Sequence, residues 1–290
     1  MKLDHPIRTA ATATLRAMTA ADLTAAHALS VEVRWPHRLA DWEQAFRVSD
    51  GVVAEIDGAI AGTALRSRWG DRDATIGLVI VAPACQGLGI GRRLLTNRLE
   101  GLDDCSVLLY ATVAGRPLYE SLGFVVSGEL RQHQGIAIQG PLVAPAPGWR
   151  LRPPGQNELA ALQALDADAR GMPRDALIEA LLGSADETVV LDHAGRARGF
   201  GMLRRFGRGH AIGPVVAPDA DGAKALIAHL AAVNAGRFTR IDIDAASGLG
   251  EWLEGRGLAQ VDAPIEMMRG ARLASPAGAQ RYAIVTQALG

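Results

Sequence analysis

The chain has 290 residues, which suggests two domains, and 49% of them are hydrophobic, as expected of a protein with a packed core. Its 30 basic residues are balanced by 31 acidic ones, which argues against the basic surface of a nucleic-acid-binding protein, and its two cysteines cannot make a disulfide framework. Without zinc-spaced ligands, a membrane-length apolar run or a signal peptide, the sequence predicts a soluble cytoplasmic protein with no metal, nucleic-acid or membrane partner.

The first half of the chain alternates between helical and strand patterns. Apolar residues recur at helical spacing in some segments, and short apolar runs bounded by turn residues mark others as strands. This alternation favours an α/β fold, with helices on both faces of a mixed sheet. The predicted helices cover 21–33, a segment that begins at Ile90, and 115–122, and the predicted strands cover 52–56, 60–67, 75–81, 106–110 and 124–130.

A proline-rich connector at 141–148 divides the chain, because proline disfavours both helices and central strands. After the connector the sequence repeats itself: four motifs of the first half recur in the same order, 134 to 137 residues later. The paired motifs begin at Leu15 and Leu151, Gly51 and Thr188, Gly77 and Gly213, and Leu118 and Trp252. The sequence therefore predicts an internal duplication, with a first domain over 1–140 and a second over 149–290.

A glycine-rich turn, Gln86–Gly91, follows the predicted strand 75–81 and opens the helix that begins at Ile90. Backbone N–H groups converge at a helix start, the helix dipole adds about half a positive charge there, and glycine lets an anion approach closely. A pyrophosphate is the anion that suits such a turn. Glycine-rich turns also bind dinucleotides, but the spacing here, Q-G-x-G-x-G, differs from the G-x-G-x-x-G of that fingerprint.

Gln86, Gly89 and Gly91 fit the signature Q/R-x-x-G-x-G/A of the GCN5-related N-acetyltransferase (GNAT) superfamily, which this sequence resembles. A second block, Leu109–Phe124, is similar to the family segment that ends in Y-x-x-x-G-F. The two blocks cover 75–124, and the duplication extends the resemblance more faintly over the rest of the chain. It implies two tandem GNAT-type acyl-CoA N-acyltransferase domains, built on a mixed α/β (α+β) sheet, with acetyl-CoA as the acyl donor.

The same resemblance implies roles for the residues around the turn. The backbone of Val79 and Val81 would pair with the pantetheine arm, and the turn would hold the pyrophosphate. Tyr119 would protonate the departing thiolate, with a half-buried core tyrosine as the alternative; many family members have Asn where Thr112 stands here. The residues expected to bind the cofactor are Val79, Val81, Gln86, Gly87, Leu88, Gly89, Ile90, Gly91 and Arg92, although Arg92 also fits an ordinary surface arginine.

The amine acceptor must lose a proton, and the strand before the glycine turn has no acidic residue to take it. A cluster of aromatic and ionisable residues that begins at Trp35 offers another base. Unperturbed histidines titrate near neutrality, and His37 is the candidate base, with Asp41 to orient it. Trp35 and Arg38 are expected to bind the acceptor, and Trp42 would help to make the pocket partly apolar. A surface loop pinned by the two tryptophans is the alternative.

The second repeat has lost the features of the first. Asp219 and Asp221 stand where the glycine turn would be, and two carboxylates there would repel a pyrophosphate. Leu253 occupies the place of Tyr119. The second domain is therefore predicted to be a degenerate copy without a cofactor site. Three roles stay open for it: it covers the acceptor cleft, supplies the face of a homodimer, or binds an effector.

The predicted function is transfer of an acetyl group from acetyl-CoA to the amine of a small molecule, by direct attack in a ternary complex. Small molecules are expected acceptors rather than protein amines. Two alternatives remain. One is a tandem acyltransferase that resembles mycothiol synthase, in which the second copy is the catalytic one. The other is an acyl-CoA-binding or effector-sensing module without turnover.

Overall fold

The computed structural model describes residues 13–271 and 278–290. These residues form two compact units, and the boundary between the units falls inside the first sequence repeat. The first unit contains residues 13–67 and 76–103, and the second contains residues 68–75 and those described from 104 onward. The domain boundaries predicted from the sequence, at 140 and 149, are a different division of the chain and stay a prediction.

The first unit consists of strands flanked by helices, in the order that the hydrophobic pattern predicts. β1, β2 and β3 are neighbours in antiparallel pairs, and β4 follows β3 in the strand order. The helix α2 is additional to the predicted elements. The elements are β1 (Thr14–Ala17), α1 (Leu23–Glu32), α2 (Leu39–Arg47), β2 (Asp50–Ile56), β3 (Ala59–Trp69), β4 (Asp73–Val81) and α3 (Ile90–Leu99), of which β3 and β4 extend across the unit boundary.

An apolar core holds this unit together. Ile90 and Leu94 lie four residues apart on one face of α3, and both are buried in that core. The burial of this helical face, at about 25 cal/mol for each Å² of apolar surface, fixes the start of α3 against the sheet. The glycine turn that precedes α3 is thereby anchored. The buried core members are Ala13, Val52, Ala54, Ile56, Ala61, Ala64, Cys85, Ile90 and Leu94.

The second unit is built around a mixed sheet. Its strand order is β5-β13-β6-β11-β14-β10-β9-β8-β7, with β12 beside β6 and the first residues of β4 in parallel pairing with β5. The mixed α/β fold predicted from the sequence is confirmed. The elements are β5 (Ser106–Ala111), α4 (Arg116–Glu120), β6 (Val125–Ile136), β7 (Trp149–Arg152), α5 (Leu159–Arg170), α6 (Asp175–Leu182), β8 (Glu187–His193), β9 (Arg196–Phe206), β10 (Gly209–Ala217), α7 (Ala220–Val233), β11 (Phe238–Asp244), α8 (Gly250–Glu254), β12 (Ala259–Asp262), β13 (Ile265–Arg269) and β14 (Gln280–Ala283).

The two sequence repeats exchange strands in this sheet. β13, from the second repeat, lies between β5 and β6 of the first and pairs antiparallel with both. β6 is longer than predicted, ending at Ile136 rather than near residue 130, because residues 130–136 pair with β11 of the second repeat. The repeats are therefore interlocked through main-chain hydrogen bonds.

An ion-pair triad occurs once in each repeat and supports the duplication. In the first repeat, the Arg16 guanidinium donates to Asp22 at the start of α1 and to Glu55 on β2, each at 2.8 Å. The hydrogen bonds from Arg16 hold the pKa of Asp22 well below its usual range. The same geometry recurs 136 to 137 residues later in Arg152, Glu158 and Asp192. In each repeat the triad ties the first strand to the first long helix and the next strand.

A second apolar core surrounds α7, whose face toward the sheet carries Ala223, Leu226, Ile227 and Leu230, each at most 1% exposed. The second repeat therefore keeps the packing of a folded domain. Among the described residues, none of the helices is both long enough and apolar enough to span a membrane.

Candidate functional site

The strand β4 carries a backbone irregularity just before the glycine turn. Leu78 has φ of 49°, in the left-handed region that a bulky side chain rarely adopts. The hydroxyl of buried Thr63 donates to the Leu78 carbonyl oxygen at 2.8 Å and holds it there. Beyond it, Val79 and Val81 are half-buried, while Ile80 between them points into the core. Strained backbone of this kind clusters at ligand sites. Thr63, which holds the strained residue, was not predicted; its only signal in the sequence is a hydroxyl side chain within an apolar strand.

The glycine turn leads from a short 3₁₀ turn, Pro83–Cys85, into α3. Gly87 has φ of 78° and Gly89, the N-cap of α3, has φ of 77°, a conformation that favours glycine. Both residues are exposed, and a Cβ placed on Gly87 would have no atom within 4 Å. The N–H groups of the first helical turn have no partner inside the helix, and Gly89 offers no side chain to accept from them. The start of α3 therefore has no side-chain cap from its N-cap residue.

The side chains around the turn contribute less than its backbone. Gln86 donates from Nε2 to the Val81 carbonyl oxygen at 3.2 Å, which ties the turn to the end of β4. Ile90 is buried in the core, so that only its N–H is available to a ligand. Leu88 is half-buried, and Arg92 is exposed on α3. The binding roles of these side chains stay predictions.

The structure corrects the role expected for Trp42. Its side chain is 0% exposed, and the indole N–H donates to Ser30 Oγ at 3.2 Å, so it joins α2 to α1. Trp42 is therefore a core residue and does not line a pocket. Trp35 is half-buried, with its ring 5.9 Å from that of His37, and remains available as a wall residue.

The loop that precedes α2 is held by a helix cap. Asp41 accepts from the backbone N of Arg38 at 2.8 Å and from its Nη2 at 2.6 Å, which satisfies the start of α2. The His37 carbonyl oxygen lies 2.9 Å from His27 Nε2. Arg38 could bind an acceptor only while sharing its guanidinium with Asp41. The base role of His37, and its orientation by Asp41, stay predictions.

Tyr119 belongs to the second unit, where it is the fourth residue of α4. Its ring is 8% exposed and packs edge-on against Phe124, with 6.1 Å between ring centroids. Burial raises the pKa of Tyr119 to about 12. Within the described part of the chain its hydroxyl has no hydrogen-bond partner. A phenol in this state keeps its proton at neutral pH, as a hydrogen-bond donor to a leaving group must.

In the second repeat, the start of α7 is capped from within the chain. Asp219 is its N-cap residue, and Oδ1 accepts from the N–H of Gly222 at 2.7 Å. A carboxylate therefore stands where α3 leaves its first turn open. Asp221 lies in the first turn of the same helix, where its side chain is 89% exposed and 3.8 Å from Lys224.

The edge of β10 is also occupied by the chain itself. Strand β14 lies between β10 and β11, pairing with Val215, Val216 and Ala217 of the one and Ile243 of the other. The segment 213–217 is the one that repeats the end of β4 in the sequence. Leu253, in the place of Tyr119, is fully buried. The second copy thus has a capped helix start, a strand paired along 215–217 and a buried leucine in the place of Tyr119.

The comparisons with known proteins agree with this architecture. Two segments match models of the acetyltransferase (GNAT) domain, residues 27–140 and residues 162–283. The chain is 31% identical over 225 residues to the uncharacterized N-acetyltransferase YitH of Bacillus subtilis strain 168, in an alignment that covers 76% of this chain and 77% of that protein. The chain therefore belongs to the GNAT acetyltransferase family, with two GNAT domains in tandem.

Solved structures show the same fold. A Pyrococcus horikoshii protein assigned as an acetyltransferase superposes with a TM-score of 0.77 at 19% identity, covering 100% of this chain and 99% of that one. A GCN5-related N-acetyltransferase from Sphaerobacter thermophilus gives 0.66 at 17% identity, covering 90% and 98%. A tandem GNAT protein from the clavulanic acid biosynthesis pathway gives 0.65 at 11% identity, covering 90% and 99%.

Proposed function

We propose that this chain transfers an acetyl group from acetyl-CoA to the amine of a small molecule, and that only the first repeat binds acetyl-CoA. The open, glycine-capped start of α3 carries the proposal, because the equivalent helix of the second repeat is closed by Asp219. Backbone N–H groups of Gly87 to Gly91 would hold the pyrophosphate, and the backbone of Val79 and Val81 the pantetheine arm.

The reaction needs reactants held together rather than a covalent enzyme intermediate. Bound acetyl-CoA supplies an activated acyl group, which an uncharged amine attacks when both are held in one geometry. The thiolate that leaves needs a proton or a hydrogen bond. Tyr119 would supply it, because its buried phenol is protonated at neutral pH. A thiol has a usual pKa of about 8.5, so the phenol is the weaker acid of the two. Tyr119 would therefore assist the departure of the thiolate rather than drive it.

The acceptor side of the proposal rests on the loop before α2. His37 would take the proton from the amine, and Trp35 and Arg38 would line the acceptor pocket. Support for this assignment comes from the half-buried setting of all three residues and from the rigid helix cap beside them. A cytoplasmic location and a homodimeric assembly are the setting that we expect for such an enzyme.

The proposal is tested by following CoA release with a panel of small amines and measuring acetyl-CoA binding in parallel. We expect turnover with at least one amine, and in Tyr119→Phe a lower kcat at unchanged acetyl-CoA affinity. Binding of acetyl-CoA without turnover of any amine would instead favour a sensing module. Absence of binding would contradict the assignment of the glycine turn.

A further inference from the structure

One buried cation in the second unit lacks the partners that buried cations normally have. Arg170, the last residue of α5, is 6% exposed. Its Nε and Nη1 atoms are buried without a hydrogen-bond partner in the described residues, and Nη2 makes only a 3.5 Å contact with the Tyr110 hydroxyl. Buried polar groups are almost always hydrogen-bonded and buried charges are almost always paired. Arg170 therefore requires an explanation.

The acidic groups near Arg170 are already satisfied by other donors. Glu266 accepts from Arg281 at 2.7 Å, from the Tyr110 hydroxyl at 3.1 Å and from Ser127 at 3.1 Å. Arg281 also donates to the Tyr110 hydroxyl at 3.2 Å and to Asp244. The hydrogen bonds of Glu266 and Asp244 therefore go to donors other than Arg170, and the residue packed against Arg170 Nη2 is Gly290.

The neighbouring Arg174 shows what a structural arginine looks like in the same place. It is 1% exposed and forms a two-pronged pair with Asp166, at 2.9 and 2.7 Å. Its Nη1 donates to the carbonyl oxygens of Leu289 and Gly290. Every nitrogen of Arg174 thus has a partner. Arg170, four residues earlier in the chain, has two nitrogens without one.

The position of the cluster suits a substrate site. Tyr110 is the last residue but one of β5, at the carboxyl end of the strand, where ligands bind in open α/β sheets. Tyr110, Ser127, Asp244 and Arg281 are all half-buried, whereas Arg170 is 6% exposed. Residues from both repeats build it, because Tyr110 and Ser127 come from the first repeat and Arg170 and Arg281 from the second.

We propose that Arg170 binds the carboxylate of the acceptor, so that the acceptor is an amino acid or a similar amine with a carboxylate. This inference rests on the proposed function and specifies its substrate class. The charges favour a singly charged group over phosphate, because the two arginines and the two carboxylates of the cluster sum to zero although Arg170 makes no direct ion pair, and a zwitterionic amino acid adds no net charge. The degenerate repeat then supplies the residue that selects the acceptor.

The first test needs no turnover. Thermal unfolding of wild-type protein and Arg170→Met is measured in sodium formate, sodium phosphate and sodium chloride at equal ionic strength. We expect formate to raise the Tm of the wild-type protein more than phosphate does, and to leave Arg170→Met at its Tm in chloride. In chloride, Arg170→Met should be at least as stable as the wild type, because a buried charge without partners is lost, whereas Arg174→Met should be clearly less stable. An equal formate effect in both proteins would overturn the proposal.

The second test compares acceptors. Each amino acid is paired with its carboxamide, and kcat/KM is measured for wild-type protein, Arg170→Met and Arg170→Lys. The lysine variant keeps the positive charge and provides a second measurement if the methionine variant does not fold. We expect the wild type to favour the carboxylate by at least about 10-fold, the lysine variant to favour it less, and the methionine variant to lose the preference. Turnover without carboxylate preference overturns this inference and leaves the proposed function standing. Arg170-dependent formate binding without turnover of any amine supports the anion site and contradicts the proposed function.

Discussion

Replacing Gly87 by aspartate tests the anion site with a matched control. Gly87 has φ of 78° and open space around its Cβ position, and Gly195, in the hairpin of the second repeat, has the same φ of 78° and the same open space. The backbone strain of Gly87→Asp and Gly195→Asp should therefore be alike, about 1 kcal/mol each. The two variants differ in whether the new carboxylate stands at the start of α3.

The added charge sets the size of the expected effect. A carboxylate about 4 Å from a phosphate charge costs between about 1 and 4 kcal/mol, depending on whether the local dielectric resembles water or a protein surface. A value of about 2.8 kcal/mol, within this range, corresponds to a loss of about 100-fold in acetyl-CoA affinity. Gly195→Asp should keep the wild-type affinity.

Titration calorimetry with acetyl-CoA measures both affinities, and thermal unfolding checks that the two variants lose similar stability. If Gly87→Asp binds acetyl-CoA as tightly as Gly195→Asp, the start of α3 is not the pyrophosphate site and the reasoning fails. Equal weakening in both variants would mean that strain, not charge, is the cause.

Three further predictions concern individual side chains. Tyr119→Phe should lower kcat by about 100-fold, within the range of general acid catalysis, with acetyl-CoA affinity unchanged in calorimetry. Trp42→Ala should destabilise the chain by about 3 to 5 kcal/mol in urea unfolding, because it empties a fully buried site, whereas Trp35→Ala should cost far less. The carboxyl of Asp22 has a lowered pKa in the folded state, so its contribution to stability is present above its ordinary pKa of about 3.9 and is lost as the pH falls below that value. Asp22→Asn should therefore be less stable than the wild type at pH 7, with a difference in Tm that shrinks steadily on acidification.

Each of these has a distinct contrary result. Unchanged kcat in Tyr119→Phe would make the tyrosine a core residue only. Equal destabilisation by the two tryptophan variants would contradict the assignment of Trp42 alone to the core. A Tm difference for Asp22→Asn that grows toward acid pH would contradict the ion pair with Arg16.

The parts of the site that the sequence predicts are those formed by local rules. Gly89 at a helix start and the apolar residues of α3 have signatures within a few positions, so the turn and the helix are where the spacing predicts them. The ion pairs Arg16–Asp22 and Arg152–Glu158 are not predicted, but they recur at the spacing of the predicted duplication.

The parts that the sequence does not predict depend on distant pairing. β13 pairs with β5, more than a hundred residues away, and β14 enters between β10 and β11. No local sequence pattern encodes either choice of partner. The cluster around Arg170 follows from that exchange, because β13 brings Glu266 opposite Tyr110 and β14 brings Arg281 beside them. Trp42 was misassigned because an aromatic residue near polar ones fits a core site and a pocket wall equally well.

The same exchange gives the second repeat a structural role in the sheet. Its strands complete the sheet next to β5, so its loss would expose the edges of β5 and β6 as well as remove Arg170. The β14 strand, which pairs with β10 in this copy, also carries Arg281.

The most direct test of the account is the stoichiometry of acetyl-CoA binding to the full-length chain in titration calorimetry. The open start of α3 and the closed start of α7 predict one site for each chain, and Gly87→Asp should weaken that site. Two sites for each chain would contradict the conclusion that Asp219 and β14 close the second copy, and no site at all would contradict the assignment of the glycine turn.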